Sequence, residues 1–524
     1  MAGTVTTDLI FFSGATGGTS DCDSLTDWSG TGLDLDTVAF VQGTGSIFTY
    51  LAAASTSRLT DFACAAIDIQ NKVIYFWFAL GKVGFLDTKA LGGLRLRVED
   101  ASANWGEWYV AGSDTLPHNG FICHAVHTAI AFDDVSATPP DKAAITKVCI
   151  RAYGSFPGKA YTWVDAVRIG TGITIKGGTE ASPATLQDII DVEETVGNQW
   201  GVLSKVEGIL YAQGLLNFGS TTAGEATFFK DTNQVLIFKT AIVPTDFFEM
   251  RVQGNATSTT KVYFGDKSGG RGISGCVFRS AGAPKFKFTA IDTSITDLGI
   301  YGCAFFDANT ISLPAYSATR EVLSTNFEAC AMILLDTCIV EYCSFISADD
   351  AGAKVTDTTD PPRFKDSSLI SCPYGVRIPN TGTYKFDNLK FSGSISADID
   401  NTSGGLVTVN CVNGANPTTY TGNTTINNYV DVTVTAKDEN QVGIQGVSVR
   451  VSKLDDNSVV YMNELTDVNG VATESINYPG AVNLRIRVRK SSVNGTRYIP
   501  IETTGAMAAT GFTLTVILYV DGNL

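Results

Sequence analysis

The strongest candidate for ligand binding is a cluster of aromatic side chains around a carboxylate, formed by Trp105, Glu107, Trp108 and Tyr109. Sugar rings stack on exposed aromatic faces, and a nearby carboxylate accepts hydrogen bonds from sugar hydroxyls. The loops of a β-sandwich often carry such sites. Alternating aromatic residues also fill sandwich cores, so the segment predicts either a glycan-binding platform or core packing.

The three histidines lie in one segment, as His118, His124 and His127, with Cys123 between them. A soft metal ion needs nitrogen and sulfur ligands that converge. In a strand, however, Cys123 and His124 point to opposite faces, and the spacing matches no zinc pattern. No G-x-S-x-G nucleophile motif is present. We expect structural histidines, no metal and no cofactor.

Acidic residues crowd the turns near the N-terminus, at Asp21, Asp23, Asp27, Asp34 and Asp36. Oxygen ligands of this kind can hold Ca²⁺. The full calcium-loop pattern is missing, so solvated turns are the favoured interpretation and calcium binding stays open.

A positive stripe is predicted near the C-terminus, where Arg485, Arg487 and Arg489 alternate with apolar residues in LRIRVRK. Alternation places the arginines on one face of a strand. The stripe is either a solvated sheet face or an interface that docks onto an acidic neighbour.

The composition restricts the class of protein. Hydrophobic residues make up 44% of the 524 residues and charged residues 17%, which indicates a folded chain of three or four domains. The net charge of −16 argues against nucleic acid as the main partner. We find neither a secretory signal pattern nor an apolar run long enough to span a membrane. The 11 cysteines contain no C-x-x-C, so we expect reduced, buried thiols.

The elements that would position these residues are mostly strands. Residues 1–175 read as strands broken by turns and predict a lectin-like β-sandwich of the jelly-roll kind. Residues 176–199 predict a linker and a cap helix over 183–196, which starts at Ser182-Pro183. Residues 429–524 predict successive hairpins and an immunoglobulin-like or transthyretin-like sandwich.

Residues 200–428 carry an internal repeat. Cys276, Cys303 and Cys330 recur every 27 residues, and the Cys-x-Phe pattern adds a second set, Phe278, Phe305 and Phe345. A period of this size made of short strands indicates stacked coils. We therefore predict a right-handed parallel β-helix in which these cysteines and phenylalanines form inward ladders. The overall fold class is all-β.

This order of domains resembles bacteriophage virion appendages. TLQDIIDVEETVGNQWGVLSKVEGILYAQGLLNFGS is similar to the start of a phage pectin-lyase-like β-helix, and TYKFDNLKFSGSISADIDNTSGGLVTVN to its last coils. VTVTAKDENQVGIQGVSVRV with TDVNGVATESI is similar to carboxypeptidase-regulatory-like modules. The resemblance implies a structural or adhesive protein of a tailed phage virion: a fibre, a short spike or a head-decoration protein, assembled in the host cytoplasm.

The resemblance also implies partners. It points to a homotrimer that contacts other virion proteins and host-surface polysaccharide, with no nucleic acid and no membrane span. A bacterial cell-surface adhesin is a further alternative.

The family also includes tailspikes that cleave polysaccharide with carboxylates about 5–10 Å apart. Stacking of coils would bring together some members of one set of carboxylates: Asp292, Asp297, Asp307, Glu321, Glu328, Asp336 and Glu341. Because stacking also makes carboxylates adjacent by chance, we assign no catalytic residue. An enzyme is not expected, and a depolymerase stays the alternative.

Overall fold

The structure is a computed structural model. It describes residues 3–51, 55–116, 119–156, 158–193, 195, 198–206, 209–222, 224–230, 235–238, 248–254, 260–266, 275–280, 285–290, 295–315, 317–478, 480–491 and 495–522. The predicted all-β class is confirmed, since strands dominate and the described residues contain one α-helix. Two compact units are present, Met1–Ile339 with Cys343–Asp350, and Val340–Tyr342 with Ala351–Leu524.

The described residues at the start of the first unit form fourteen strands and two short 3₁₀-helices, Val83–Phe85 and Lys89–Leu91. The strands are β1 Gly3–Thr7, β2 Ile10–Phe11, β3 Trp28–Gly30, β4 Leu33–Asp36, β5 Ser46–Leu51, β6 Ser55–Ile67, β7 Val73–Leu80, β8 Leu94–Asp100, β9 Trp105–Ala111, β10 Ile122–His127, β11 Asp134–Val135, β12 Ile145–Phe156, β13 Ala160–Gly170 and β14 Ile173–Gly177.

Twelve of these strands form an antiparallel sandwich. One sheet has the order β10-β7-β13-β5-β4, with β2 beside β13, and the other has the order β11-β9-β8-β12-β6-β3. Their inner faces meet in one core, in which Phe76 and Ile47 from the first sheet pack with Leu96 and Ile150 from the second. Strands such as β8 alternate apolar and polar residues and bury one face, whereas the continuously apolar β7 is buried on both faces.

The helix α1 spans Leu186–Glu193 and begins three residues later than predicted. Thr185 and Asp188 cap it reciprocally: the Asp188 carboxylate accepts the Thr185 backbone N–H at 2.7 Å, and the Thr185 hydroxyl accepts that of Asp188 at 3.4 Å. This T-x-x-D capping box replaces the predicted Ser182-Pro183 start. At the other end, the Glu193 carboxylate accepts the backbone N–H groups of Val202 and Leu203, which tie the helix to the following strand.

Short strands follow the helix and stack in coils. The strands of this region are β15 Leu203–Val206, β16 Ile209–Ala212, β17 Gly214–Phe218, β18 Ala226–Phe229, β19 Val235–Phe238, β20 Phe248–Val252, β21 Thr260–Phe264, β22 Val277–Ser280, β23 Lys287–Thr289, β24 Ile295–Tyr301, β25 Ala304–Phe306, β26 Ile311–Ser312, β27 Arg320–Leu323, β28 Asn326–Glu328, β29 Ile333–Leu334, β30 Ile339–Glu341 and β31 Ser344–Ile346. From β16 to β26, each described strand pairs in parallel with the strand three places later in the chain, which places the coils on top of one another.

One ladder of phenylalanines runs through the coils of the first unit. Phe278, Phe305, Phe327 and Phe345 occupy paired positions, with ring centroids 5.4, 5.4 and 5.2 Å apart. Each ring is at most 2% exposed. The predicted ladder positions of Phe278, Phe305 and Phe345 agree with this register, and Phe327 is a member that the Cys-x-Phe pattern does not show.

The predicted cysteine ladder is right for Cys276 and Cys303 and wrong for Cys330. Pairing of Phe305 with Phe327 makes Thr325 the equivalent of Cys303, and places Cys330 beside Ala308. The constant spacing of 27 residues fails because the coils shorten, with the ladder phenylalanines 27, 22 and then 18 residues apart. All eleven cysteines of the chain are free and buried.

The second unit contains further coils and then an antiparallel module. Its strands are β32 Ala351–Lys354, β33 Phe364–Lys365, β34 Ser368–Ile370, β35 Tyr374–Ile378, β36 Gly382–Asp387, β37 Lys390–Ser392, β38 Ala397–Asn401, β39 Val407–Val412, β40 Tyr420–Thr421, β41 Thr424–Lys437, β42 Ser448–Lys453, β43 Val460–Leu465, β44 Val471–Asn477, β45 Val482–Arg489, β46 Ile501–Met507 and β47 Phe512–Ile517.

The long strand β41 belongs to both parts of the second unit. Residues 424–428 pair in parallel with β39, while the rest pairs with β44 and β47. The predicted boundary between 428 and 429 therefore falls inside one strand. A second sheet, β43-β42-β45-β46, faces this one across a core that includes Val432, Val449 and Ile486.

We expect Phe305→Ala to lower the free energy of unfolding of the first unit by about 3–5 kcal/mol, because it leaves a cavity in a fully buried ladder. The matched control is Phe306→Ala, one residue later on the opposite face of β25, which should lower it by less than about 1.5 kcal/mol. Urea unfolding of both variants measures the difference. Equal losses would contradict the inward ladder.

Candidate functional site

The predicted platform around Trp105 is corrected by the structure. Trp108 points into the sandwich core, where it is 3% exposed, packs 4.5 Å from the Phe132 ring and donates its indole N–H to the Ile130 carbonyl. A buried ring cannot meet a sugar, so the core alternative holds for Trp108.

The other residues of the predicted platform are also engaged in contacts within the protein. Glu107 is 2% exposed in its side chain and forms ion pairs with Arg95 at 2.8 Å, Arg97 at 3.4 Å and Arg151 at 3.9 Å. The Arg97 guanidinium lies 4.1 Å from the centre of the Trp105 ring, and that of Arg95 lies 4.6 Å from the Tyr109 ring. Because each ring already has a cation against it, this sheet face is an internal charge network rather than a sugar platform.

The opposite sheet carries an aromatic surface that the sequence analysis missed. Phe48 and Tyr50 on β5 stand beside Tyr161 and Trp163 on β13, and all four rings are half-buried. We call these four residues the aromatic face. Ring centroids are 5.3 Å apart for Tyr50–Tyr161, 5.7 Å for Phe48–Tyr161 and 5.2 Å for Phe48–Trp163. The rings thus form a nearly continuous apolar strip on the outside of the sandwich.

In most sandwich strands the large apolar side chains face the core, but here the rings face outward and the threonines between them face inward. Thr49 and Thr162 point inward, are at most 2% exposed and hydrogen-bond to each other through their hydroxyls. Burial of a large ring stabilises a protein more than burial of threonine. A strand that turns its rings outward and its threonines inward gives up that stabilisation, which is typical of residues kept for contact with another molecule.

Polar groups border the aromatic face. The Asp36 carboxylate accepts the Trp163 indole N–H at 2.8 Å and the backbone N–H groups of Val38 and Ala39. Burial works to raise the pKa of Asp36, but these hydrogen bonds outweigh it and hold that pKa below its ordinary value. Asp34 lies opposite Phe48 on β4, and the exposed Lys159 ammonium lies 5.6 Å from the centre of the Tyr50 ring.

A loop over 37–45 forms one edge of this border, and two further carboxylates hold it. Asp23 accepts the backbone N–H groups of Thr44 and Gly45, and Asp165 accepts those of Val41 and Gln42. Asp165 is 0% exposed, and its second carboxylate oxygen is buried without a hydrogen-bond partner. Burial raises the pKa of Asp165 to about 7.

The carboxylates of the N-terminal acidic turns hydrogen-bond to the backbone of neighbouring residues and so stabilise these turns. Asp27 accepts the backbone N–H groups of Thr16 and Gly18, Asp21 accepts that of Asp23, and Asp34 that of Leu35. In the part of the chain that the structure describes, no three His, Cys, Asp or Glu side chains are grouped so that they could hold a metal ion.

Two of the three histidines, His124 and His127, are buried on β10. His124 is 0% exposed and stacks 5.2 Å from the Phe76 ring, and burial lowers the pKa of His127 to about 4. Cys123 and His124 pair with Trp77 and Phe76, so they lie on opposite faces of the sheet. His118 lies outside the described residues.

The predicted carboxylate set is spread over several strands. Asp297 on β24 and Glu321 on β27 lie on neighbouring strands of one sheet, where each accepts a tyrosine hydroxyl. Asp307 and Asp336 adopt positive φ in turns, and Glu341 pairs with Lys365 at 3.4 Å. Glu328 ends β28, and Asp292 lies outside the described residues.

The predicted arginine stripe lies on one face of β45. Arg485 and Arg487 both approach Glu502, at 3.6 and 2.7 Å, and Arg489 is exposed opposite Ser448. The alternating Leu484, Ile486 and Val488 are fully buried.

Comparisons with known proteins leave the family open. No family model and no curated protein matches the chain. Similar solved structures include an exo-β-agarase (10% identity, TM-score 0.23, covering 31% of this chain and 24% of that one), another agarase (9%, 0.20, 29% and 24%) and a family 30 carbohydrate-binding module (11%, 0.20, 32% and 85%). The matched part spans about a quarter of the agarases. Scores this low support no conclusion about fold or function.

None of the helices in the described ranges is long and apolar enough to cross a bilayer.

We expect the stability of the sandwich to fall as the pH rises through about 7, because folded Asp165 holds its proton more tightly than the unfolded chain does. The stabilising contribution is complete below the unfolded pKa near 3.8 and is lost above the folded pKa. Asp165→Asn should remove about 2 kcal/mol of the change between pH 5 and 8. Urea unfolding across that range measures it.

The matched control is Asp34→Asn, which neutralises an exposed carboxylate on β4. Its unfolding profile should keep the slope of the unsubstituted protein. If Asp165→Asn keeps that slope too, Asp165 is ionised in the folded protein at neutral pH and its proposed titration is wrong.

Proposed function

We propose that this chain is a structural and adhesive protein whose aromatic face binds polysaccharide. The observation that carries the proposal is the inversion of β5 and β13, in which four half-buried rings face outward while Thr49 and Thr162 face the core. The C–H faces of sugar rings stack on such surfaces. Asp34 and Lys159 at the border supply hydrogen-bonding partners for sugar hydroxyls.

The geometry of the rings favours recognition of an extended chain. The rings lie side by side across two strands, so successive sugars can each meet an aromatic surface. Trp163 is fixed by its hydrogen bond to Asp36 at 2.8 Å, and Tyr50 and Tyr161 brace each other at 5.3 Å. Little side-chain freedom remains to be lost on binding, which favours affinity.

We extend the proposal to a virion appendage of a tailed phage, on the resemblance of the coil region and of the C-terminal module. In this reading the stacked coils are a right-handed β-helix, the chain is a homotrimer, and Arg485, Arg487 and Arg489 contact an acidic neighbour in the virion. Several weak glycan contacts on one particle would act together as strong attachment. A bacterial cell-surface adhesin would use the same face, and labelling of purified virions distinguishes the two.

A polysaccharide depolymerase is the second candidate, favoured by one observation. Asp297 and Glu321 lie on adjacent strands of one sheet, each with a tyrosine hydroxyl as donor. Release of reducing ends from a bound polysaccharide would support this candidate, and loss of release in Asp297→Asn and Glu321→Gln would assign it to these carboxylates.

We expect Tyr50→Ala and Tyr161→Ala each to weaken binding to a bacterial polysaccharide about tenfold, the equivalent of about 1.4 kcal/mol. The free energy of unfolding should change by about 1 kcal/mol or less, because the rings lie outside the core. The measurement is titration of the best ligand found on an array of bacterial surface polysaccharides.

The matched control for those variants is Tyr109→Ala, a half-buried tyrosine on the other sheet whose ring is covered by Arg95. Its affinity should equal that of the unsubstituted protein. Loss of binding in Tyr109→Ala with full binding in Tyr161→Ala would place the glycan on the wrong sheet for this proposal.

The trimer makes a separate prediction. Sedimentation of the purified chain at micromolar concentration should give three times the 55.6 kDa of one subunit. A monodisperse monomer would contradict the trimer and would favour a decoration protein that depends on neighbouring subunits for its contacts.

A further inference from the structure

A cavity of about 210 Å³ opens on the side of the coils in the first unit, on a different sheet from the phenylalanine ladder. Its lining includes Phe228, Tyr263 and Tyr301, with Gly265 at the turn after β21 and two carboxylates, Glu180 and Asp266. No residue of the aromatic face lines this cavity, so the cavity is a separate candidate site.

Three aromatic rings form one wall of the cavity. Phe228 on β18 and Tyr263 on β21 are paired in register and stack with centroids 4.7 Å apart and planes 20° apart. Tyr301 continues the row at 6.5 Å from Tyr263, with planes 16° apart. It reaches this position by leaning over Gly299, where an added Cβ would lie 2.4 Å from the Tyr301 ring. The row therefore depends on a residue without a side chain.

Carboxylates surround this wall. The Tyr263 hydroxyl donates to Asp297 at 3.2 Å and the Tyr301 hydroxyl donates to Glu321 at 2.8 Å. Hydrogen bonds from phenol groups to carboxylates increase the electron density of the rings. Burial raises the pKa of Tyr263 to about 12, and the charges of Asp297, Glu321 and Glu180 add to the rise, which indicates a negative potential at the ring.

Two lysines near the cavity form ion pairs with carboxylates of this region and offset part of their negative charge. Lys230 contacts Asp266 at 3.2 Å and Lys261 contacts Asp297 at 3.0 Å. The two charged residues that line the cavity itself are both acidic. Aromatic faces and carboxylates attract the same kind of ligand, an organic cation, and the attraction grows where water is partly excluded.

We propose that this cavity binds an organic ammonium group, held between the Phe228–Tyr263–Tyr301 wall and the Glu180 and Asp266 carboxylates. A neutral sugar would stack on the rings but would gain no Coulomb attraction from the carboxylates, so the ligand is distinguished by its positive charge. The group can belong to an amino sugar or to a quaternary ammonium compound, which share this chemistry. The proposal does not depend on the aromatic face of the sandwich.

The test uses the full chain and two pairs of probes that differ in charge. Tetramethylammonium is compared with tert-butanol, and glucosamine with glucose, by saturation-transfer NMR and titration calorimetry. We expect the cations to bind with Kd of about 1 mM and the neutral probes at least tenfold more weakly. Binding of glucosamine alone points to an amino sugar, and binding of tetramethylammonium alone to a quaternary group. Equal binding of charged and neutral probes, or no binding of either cation, overturns the proposal.

Three variants locate the site. Tyr263→Leu keeps an apolar side chain but removes the aromatic face, Glu180→Gln removes an exposed charge, and Gly299→Ala displaces the Tyr301 ring. Each should weaken cation binding about fivefold or more. Glu180→Gln lies in a turn and leaves the packing intact, so it tests the proposal even if Tyr263→Leu unfolds.

The matched control is Phe306→Leu, an outward ring on β25 that Arg279 already covers at 5.1 Å. It should bind the cations as the unsubstituted protein does. If all three site variants bind normally, the cations bind elsewhere and the proposal fails. Tyr161→Ala separates this result from the glycan proposal, because it should leave cation binding unchanged whether or not the sandwich binds polysaccharide.

Discussion

Strand register is the constraint on which the surfaces of this protein depend. Pairing places side chains of adjacent strands next to each other on the same face, so one aromatic position becomes a row. The same rule places Phe305 against Phe327 inside the coils and Phe228 against Tyr263 outside them. On the sandwich it places Tyr50 against Tyr161. Whether a row is core or binding surface is decided by the face on which it lies.

Register also explains which parts of the fold follow from the sequence. The all-β class, the alternating strands and the inward Phe278 and Phe305 could be predicted, because each depends on local pattern. Cys330 could not be placed by its spacing. The loops between strands vary in length while the paired positions stay fixed, so equal distance along the chain does not mean equal position in a coil. The paired phenylalanines mark equivalent positions in successive coils, whereas the constant spacing of the cysteines does not.

The candidate site was misplaced for a related reason. Alternation assigns Trp105, Glu107 and Tyr109 to one face of β9 and Trp108 to the other, and the neighbouring Arg95 and Arg97 show which face is polar. That pattern could have assigned Trp108 to the core. The aromatic face cannot be predicted from one segment, because Phe48 and Trp163 are far apart in the chain and only the pairing of β5 with β13 joins them. The signal that was present is the alternation of rings with threonine in SIFTYL and AYTW.

The two kinds of aromatic row differ in what they contribute to folding. The inward rings are fully buried, and neighbouring side chains cannot fill the space that a removed ring leaves. Substitution of an inward ring therefore lowers the free energy of unfolding. The outward rings remain half-buried beside Asp36 and Lys159, and folding gains less from them. With Thr49 and Thr162 inside and four large rings outside, these strands leave apolar surface that folding does not bury. Substitutions in the outward rings are therefore expected to alter the proposed polysaccharide binding with little change in the free energy of unfolding.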